Sequence, residues 1–289
     1  MACFLNFASY NMRGFQQGQY MVKDLCETHD IIAVQEHWLS DSNLQQLVDL
    51  HTDFTVIAKS AMTERVQCSF LRGRPFGGLA VLARKSVLGS LTMIGVQSTC
   101  RCLAVSTKLP SGHIILIVNV YLPCSTGSCD YETEINECVG FIENCMVCND
   151  YDSVLLLGDF NLECNAQSRG YQILSSFLRD YNLKCCDSLA DPAIDYTYFQ
   201  DILGRYSVID HMFVNSDMFN NVINYSVIES GVNLSDHIPM SLHLWSPIIN
   251  MYRGMGLKLL IRLSNINDYV GIKIIFNIIT RKLVRCSRA

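Results

Sequence analysis

The chain has 289 residues, of which 49% are hydrophobic and 17% charged, with a formal net charge of −5. That composition is ordinary for a globular domain and is sufficient for one large core or two small ones. Residues 246–289 hold eight Lys or Arg and one acid, a net +7, which leaves 14 bases against 26 acids in the rest, or −12. An acidic domain of that kind does not hold polyanions through its overall field, so any contact with nucleic acid must be local. No apolar run approaches the length of a membrane span; Phe141 to Leu157 is interrupted by Glu143, Asn149, Asp150 and Asp152. The first strand begins almost at Met1 and leaves no segment for a signal peptide, so an intracellular location, nuclear or cytoplasmic and not secreted, is expected. In that setting the 14 cysteines read as reduced, mostly buried thiols. Cys145 and Cys148 form a CxxC with no second CxxC to complete a zinc site.

In chain order, Phe4–Tyr10 is predicted to be a strand, Tyr20–Glu27 a short helix and Ile31–Gln35 a buried strand. A helix is expected from Asp41 to Leu50, starting near the caps Ser40 and Asp41, and a strand over Phe54–Ala58. A polar loop runs from Lys59 to Phe76, and Gly77-Gly78 opens a strand at Leu79–Ala83. Cys102–Lys108 and Ile114–Tyr121 flank the turn Leu109-Pro110-Ser111-Gly112 and predict a hairpin. Tyr131–Val147 has helical periodicity, Ser153–Leu157 is a strand and Gln172–Asp180 a helix. Ser207–Val214 and Met240–Leu244 complete the strands. Hairpins mixed with crossover helices imply sheets of mixed direction.

Several of these apolar runs end on polar clusters. They are Ser9-Tyr10-Asn11, Val34-Gln35-Glu36-His37, Asn119-Val120-Tyr121, Gly158-Asp159-Phe160-Asn161 and Ser235-Asp236-His237, with Ile209-Asp210-His211 ahead of the last. A buried strand that ends on such a residue delivers it to the rim of a sheet, where sites form in α/β proteins. Two carboxylates and an amide suit a hard divalent cation, and a further Asp and His suit proton transfer. The constellation points to metal-assisted cleavage of a phosphoester.

The six clusters, in this order, resemble the endonuclease/exonuclease/phosphatase superfamily from about Phe4 to Trp245. The resemblance implies a four-layer α/β sandwich, two mixed β-sheets face to face with helices outside. It implies Mg²⁺, with Mn²⁺ as an alternative, held by Glu36 as principal ligand with Asn11 and Asp236. Asp159 would activate the attacking water, Asn161 and Tyr121 would hold the phosphate, and His237, oriented by Asp210, would stabilise the transition state. His37 and His211 have the opposite parity on their strands and are read as structural. Arg13 stands where the family sometimes carries a second metal-side Asp or Asn, which removes one ligand.

Wording between the clusters is similar to the endonuclease of LINE-type (non-LTR) retrotransposons: Gln35-Glu36-His37-Trp38-Leu39, Arg74-Pro75-Phe76-Gly77-Gly78-Leu79-Ala80-Val81, and Tyr206 to Val214. This implies a DNA-nicking endonuclease with DNA as partner and neither a membrane nor an obligate protein partner. The bases that would touch DNA are Arg72 and Arg74 in the Lys59–Phe76 loop and Arg205 at a Gly-Arg turn. The alternatives are a phosphoesterase of the same superfamily acting on a small-molecule, lipid or RNA substrate, or an inactive remnant. After Trp245 the resemblance ends, and the basic stretch 246–289 is expected to lie outside a domain spanning 1–245.

Overall fold

The computed structural model describes residues 4–245 apart from 64, 65, 68, 69, 72, 88, 89, 126–129, 165, 166, 201 and 202. Arg72 and the tail 246–289 therefore lie outside the described residues. The strands in chain order are β1 (Phe4–Asn11), β2 (Ile31–Gln35), β3 (Phe54–Lys59), β4 (Val66–Gln67), β5 (Phe70–Leu71), β6 (Leu79–Arg84), β7 (Ser90–Val96) and β8 (Cys102–Lys108). They continue as β9 (Ile114–Tyr121), β10 (Ser153–Asp159), β11 (Leu183–Cys185), β12 (Tyr198–Gln200), β13 (Arg205–Ser207), β14 (Asp210–Asn215), β15 (Val222–Val227) and β16 (Met240–Trp245). The helices are α1 (Phe15–Thr28), α2 (Gln45–Val48), α3 (Tyr131–Val147), α4 (Arg169–Asp180) and α5 (Ser216–Phe219).

Two sheets of six strands carry the fold, one in the order β15-β16-β1-β2-β6-β3 and the other β11-β14-β10-β9-β8-β7. Each has one parallel pair near its centre, β1 with β2 and β9 with β10, and its other pairs are antiparallel. A parallel pair requires a crossover. Helix α1 makes it in the first sheet and α3 in the second, so both halves of the chain repeat one β-helix-β plan. The parallel pairs end in register, Asn11 beside Gln35 and Tyr121 beside Asp159.

Alternation along the strands sets the layers. Leu5, Phe7, Ile31, Ala33 and Val81 of the first sheet pack against Leu103, Val105, Ile117, Leu155, Leu157 and Met212 of the second. On the outer face of the first sheet, Ala8, Ile32 and Val34 meet Met21, Val22 and Leu25 of α1. On the outer face of the second, Leu116, Val118, Leu156 and Phe213 meet Ile135 and Ile142 of α3 and Leu174 and Phe177 of α4. The result is the expected α/β sandwich of four layers.

A polar bridge crosses the core. Gln35 Nε2 donates to Asn119 Oδ1 at 2.7 Å and to Ser9 Oγ at 3.1 Å, while Asn119 Nδ2 donates to the Val34 and Ala80 carbonyls, each at 2.9 Å. All three side chains are buried. The residues just inside the strand-end clusters thus tie the two sheets together beneath the rim.

Some elements depart from the sequence reading. Helix α1 starts five residues earlier than Tyr20. The helix expected over Asp41–Leu50 is instead a 3₁₀ turn at Asp41–Asn43 followed by the single turn α2, in which only Leu47 is buried. The strand expected over Ser207–Val214 breaks at Val208-Ile209, so Asp210 opens β14 rather than lying midway. Every described cysteine with an assigned state is a free thiol. No helix among the described residues is long and apolar enough to cross a membrane.

Candidate active site

The C-terminal ends of β1, β2, β9 and β10 converge at one rim between the sheets, and the polar clusters meet there. Asn11 is the link: its Nδ2 donates to Asp159 Oδ2 at 2.9 Å and to Glu36 Oε1 at 3.3 Å. Glu36 Oε2 accepts the indole N–H of Trp38 at 2.8 Å. Burial and the Glu36 carboxylate beside it push the Tyr121 phenol above its ordinary range. Arg101 lies 5.2 Å over the Tyr121 ring.

Backbone conformation at the rim is unusual. Arg13, Glu36, Trp38 and Asn161 all have positive φ, at 45°, 54°, 55° and 50°. For residues other than glycine this region costs about 1–2 kcal/mol each. Among the described residues only Cys100 and Asn182 share it, so the strain is concentrated where the functional side chains are aimed.

On the second sheet, Asp159 faces Asp210 directly across the antiparallel pair β10–β14. Asp210 Oδ2 lies 2.9 Å from His237 Nδ1, and His237 Nε2 lies 3.8 Å from Asp159 Oδ2. All three side chains are buried. Burial raises the Asp159 carboxyl to about 7, with His237 opposing and Asp210 adding to the rise. For His237, burial opposes the charge, but Asp210, Asp159 and Asp236 outweigh it and bring the imidazole to about 9. The arrangement is a buried relay in which the His237 imidazole stands between the Asp210 and Asp159 carboxylates.

The loop carrying His237 is fastened to β1. Ser235 Oγ donates to the Asn11 carbonyl at 2.8 Å, and Asn233 Nδ2 donates to the His237 carbonyl at 2.8 Å. Tyr198 packs on the His237 ring at 4.8 Å between centroids, and Thr197 Oγ1 accepts the N–H groups of Ile209 and Asp210 at 3.0 Å each. Tyr198 and Thr197 come from short pieces with no periodic pattern and carry no sequence signal that marks them, whereas Trp38 stands in the Gln35–Leu39 segment of the LINE-type resemblance without being singled out there.

Two expected residues sit differently from the rest. Asp236 pairs through Oδ2 with the guanidinium of Arg13, while its Oδ1 is buried without a hydrogen-bond partner. Asn161 donates its backbone N–H to Asp159 Oδ1 at 2.9 Å and its Nδ2 to the Leu122 carbonyl at 2.9 Å, so the amide anchors the turn after β10. Arg205 is exposed on β13, whose partner β12 carries Tyr198 against His237. Arg74 is exposed three residues before Gly77, whose carbonyl accepts the Trp38 N–H at 3.0 Å.

The neutral state of His37 is set by its contacts. Its Nε2 donates to the Lys59 carbonyl at 2.9 Å and its Nδ1 accepts the Leu39 N–H at 3.0 Å, and burial lowers it to about 4.

These donors fit a divalent metal ion. Glu36 presents Oε1 beside Asn11 Nδ2 at 3.3 Å, and the partnerless Oδ1 of Asp236 is a buried acceptor that a cation would satisfy. The set is oxygen-rich, as a hard cation requires. Asp159, Asp210 and His237 form a second close group, with ligand atoms within 4.8 Å of one another.

Fold and site together define a phosphoester-cleaving type of α/β sandwich. The model of the endonuclease/exonuclease/phosphatase family matches residues 8–237, and the chain belongs to that family. Among solved structures, a variant of the 3′ phosphatase NExo from Neisseria, bound to product DNA hairpin, superposes with a TM-score of 0.63 at 17% identity, covering 83% of this chain and 99% of that one. The AP endonuclease LMAP from Leishmania major gives 0.62 at 14% identity, covering 84% and 88%. The APE2 catalytic domain from Xenopus laevis gives 0.62 at 16%, covering 83% and 92%. No curated protein matches the chain in sequence.

Proposed function

We propose that the chain is a Mg²⁺-dependent DNA-nicking endonuclease of the type found in LINE-type retrotransposons. The observation that carries this reading is the buried relay Asp210–His237–Asp159 joined through Asn11 to Glu36. In this reading Glu36, Asn11 and Asp236 would hold Mg²⁺, with Mn²⁺ as an alternative, and the ion would supply charge neutralisation at the phosphoester.

The chain's own residues do the rest. Asp159, with its carboxyl raised by burial, accepts the proton of the attacking water. Asn11 and the Asn161 N–H fix that carboxylate from two sides. His237, kept charged by Asp210, donates to a phosphate oxygen as negative charge develops there. Tyr121 and Asn161 line the phosphate side. The relatives that superpose include a protein bound to a DNA hairpin, which supports DNA as the substrate class. The exposed Arg205 and the 58% exposed Tyr206 stand on the hairpin whose Tyr198 packs on His237, and they are placed to meet a duplex entering the site. Arg74 would add a phosphate contact, and Arg72, which lies outside the described residues, is proposed to join it. In this reading residues 1–245 are the catalytic unit, it acts inside the cell where chromosomal DNA is, and 246–289 is not part of it.

The test is plasmid nicking. The purified chain is expected to convert supercoiled plasmid to open circles with Mg²⁺ and to stop with EDTA, while leaving inositol phosphates intact. Release of phosphate from inositol phosphates without nicking would replace the proposal with a small-molecule phosphoesterase. Inactivity of a folded protein on both would make it a binding remnant.

A further inference from the structure

At the β11–β14 edge of the second sheet lies a group of side chains that the relay does not use. The ligand atoms of Cys164, Cys185, Asp187 and His211 all lie within 4.8 Å of one another. They arrive from three separate segments: the turn after β10, the end of β11 with the 3₁₀ turn that follows it, and β14. His211 is fully buried and the other three are half-buried.

We propose that these four residues are a structural zinc site. Two thiolates at about 2.3 Å from a tetrahedral Zn²⁺ stand about 3.8 Å apart, and a thiolate and an imidazole nitrogen stand about 3.6 Å apart. Cys164 Sγ lies 3.9 Å from Cys185 Sγ and 3.6 Å from His211 Nδ1. Cys164 Sγ is equally near Nε2 of the same ring, but that nitrogen already donates to the Leu162 carbonyl at 2.8 Å. A backbone carbonyl on the far nitrogen is the usual way a metal-binding histidine is fixed in one tautomer. It leaves Nδ1 facing the sulfurs and Asp187.

Asp187 has the matching outer partner. Its Oδ1 accepts the Tyr225 hydroxyl at 2.9 Å, which leaves Oδ2 as the inward ligand. In the metal-free form Oδ2 takes a hydrogen bond from His211 Nδ1 at 2.7 Å. That Nδ1 proton lies between His211 and Asp187, where a bound cation would take its place. Binding is balanced as Zn²⁺ in and three protons out, two from the thiols and one from His211 Nδ1, with the Asp187–His211 pair opening to about 3.4 Å. The residues are of the soft type that selects zinc over Mg²⁺, in contrast to the oxygen donors of the candidate active site.

The experiment uses the full chain, purified with reductant, freed of metal, and given Co²⁺ or Zn²⁺ in the presence of excess Mg²⁺. Expected are one retained metal per chain, thiolate-to-cobalt charge-transfer absorption that a carboxylate pocket does not give, and a melting temperature that rises with zinc. Cys164→Ser/Cys185→Ser is expected to lose all three, whereas Cys145→Ser/Cys148→Ser keeps them. If the first double variant does not fold, Asp187→Asn alone is expected to weaken cobalt binding at least tenfold in a folded protein. Absence of the cobalt–thiolate band from the folded wild type overturns the proposal. So does the same band in a folded Cys164→Ser/Cys185→Ser chain, unchanged affinity in Asp187→Asn, or recovery of a Cys164–Cys185 disulfide with no metal retained.

Discussion

Asp159 owes its chemistry to placement. It is 1% exposed, held by Asn11 and by the N–H of Asn161, and raised to about 7 by burial. Asp159→Asn and His237→Ala are each expected to lower kcat by on the order of a hundredfold or more, since both act mainly in the transition state. A change confined to KM in single-turnover and steady-state assays would recast them as substrate-binding groups. Asp210 acts through His237, so Asp210→Asn is expected to move the alkaline limb of the pH–rate profile to lower pH by removing the carboxylate that keeps the imidazole charged. An unshifted limb would reduce Asp210 to packing. Glu36→Ala is expected to abolish the Mg²⁺ response while circular dichroism stays unchanged. At this scale the sequence is readable where a polar residue terminates an apolar strand, as with Asn11, Glu36, Tyr121 and Asp159. It does not single out Trp38 or Tyr198, which touch Glu36 and His237, or the pairing of Asp236 with Arg13.

Individual elements show the same division. Central strands β2, β8 and β9 and helix α3 coincide with their predicted bounds, because their residues are buried on one or both faces and the period is clear. Strands β7 and β15 went unread because they lie at sheet edges, where exposed residues such as Thr92 and Asn224 blur the alternation. The segment after β2 makes a pH prediction. His37 is neutral in the folded state with a value near 4, against about 6.5 in an unfolded chain. Above 6.5 neither state carries the proton. As pH falls from 6.5 towards 4 only the unfolded chain gains it, so stability declines over that window, by on the order of 3 kcal/mol for this group. Urea midpoints at pH 7 and pH 4.5 are expected to differ less in His37→Gln than in the wild type. Equal declines would show that the burial of His37 does not govern the acid limb; His29, lowered to about 4 mainly by burial, contributes to the remainder. Gly158 makes a steric prediction. Its φ is 147°, and a Cβ there would lie 1.9 Å from the Val120 carbonyl oxygen. Gly158→Ala is expected to separate β9 from β10 next to Asp159, seen as a large loss of melting temperature.

For the molecule as a whole, the two β-helix-β units contribute Asn11 and Glu36 on one side and Tyr121 and Asp159 on the other, and the Ser9–Gln35–Asn119 bridge ties the two sheets beneath them. Asn119→Leu is expected to cost roughly 1–3 kcal/mol for each buried partner left without its bond, and the loss of nicking should exceed the loss of folded protein if the register matters to the site. The net −12 of residues 1–245 makes the few exposed bases decisive for a polyanion. Arg74→Ala/Arg205→Ala is expected to flatten the salt dependence of DNA binding by about one unit per lost phosphate contact. An unchanged slope would direct attention to the basic tail. Strand β1 lies antiparallel to β16, with Phe4 directly across from Trp245. Strand β1 therefore gains its partner on that side only from β16, and a chain stopped before Met240 lacks an interior strand of the first sheet. The same adjacency means that a short linker joining Trp245 to Phe4, with new ends opened in the Lys59–Phe76 loop, should yield a circular permutant that still folds.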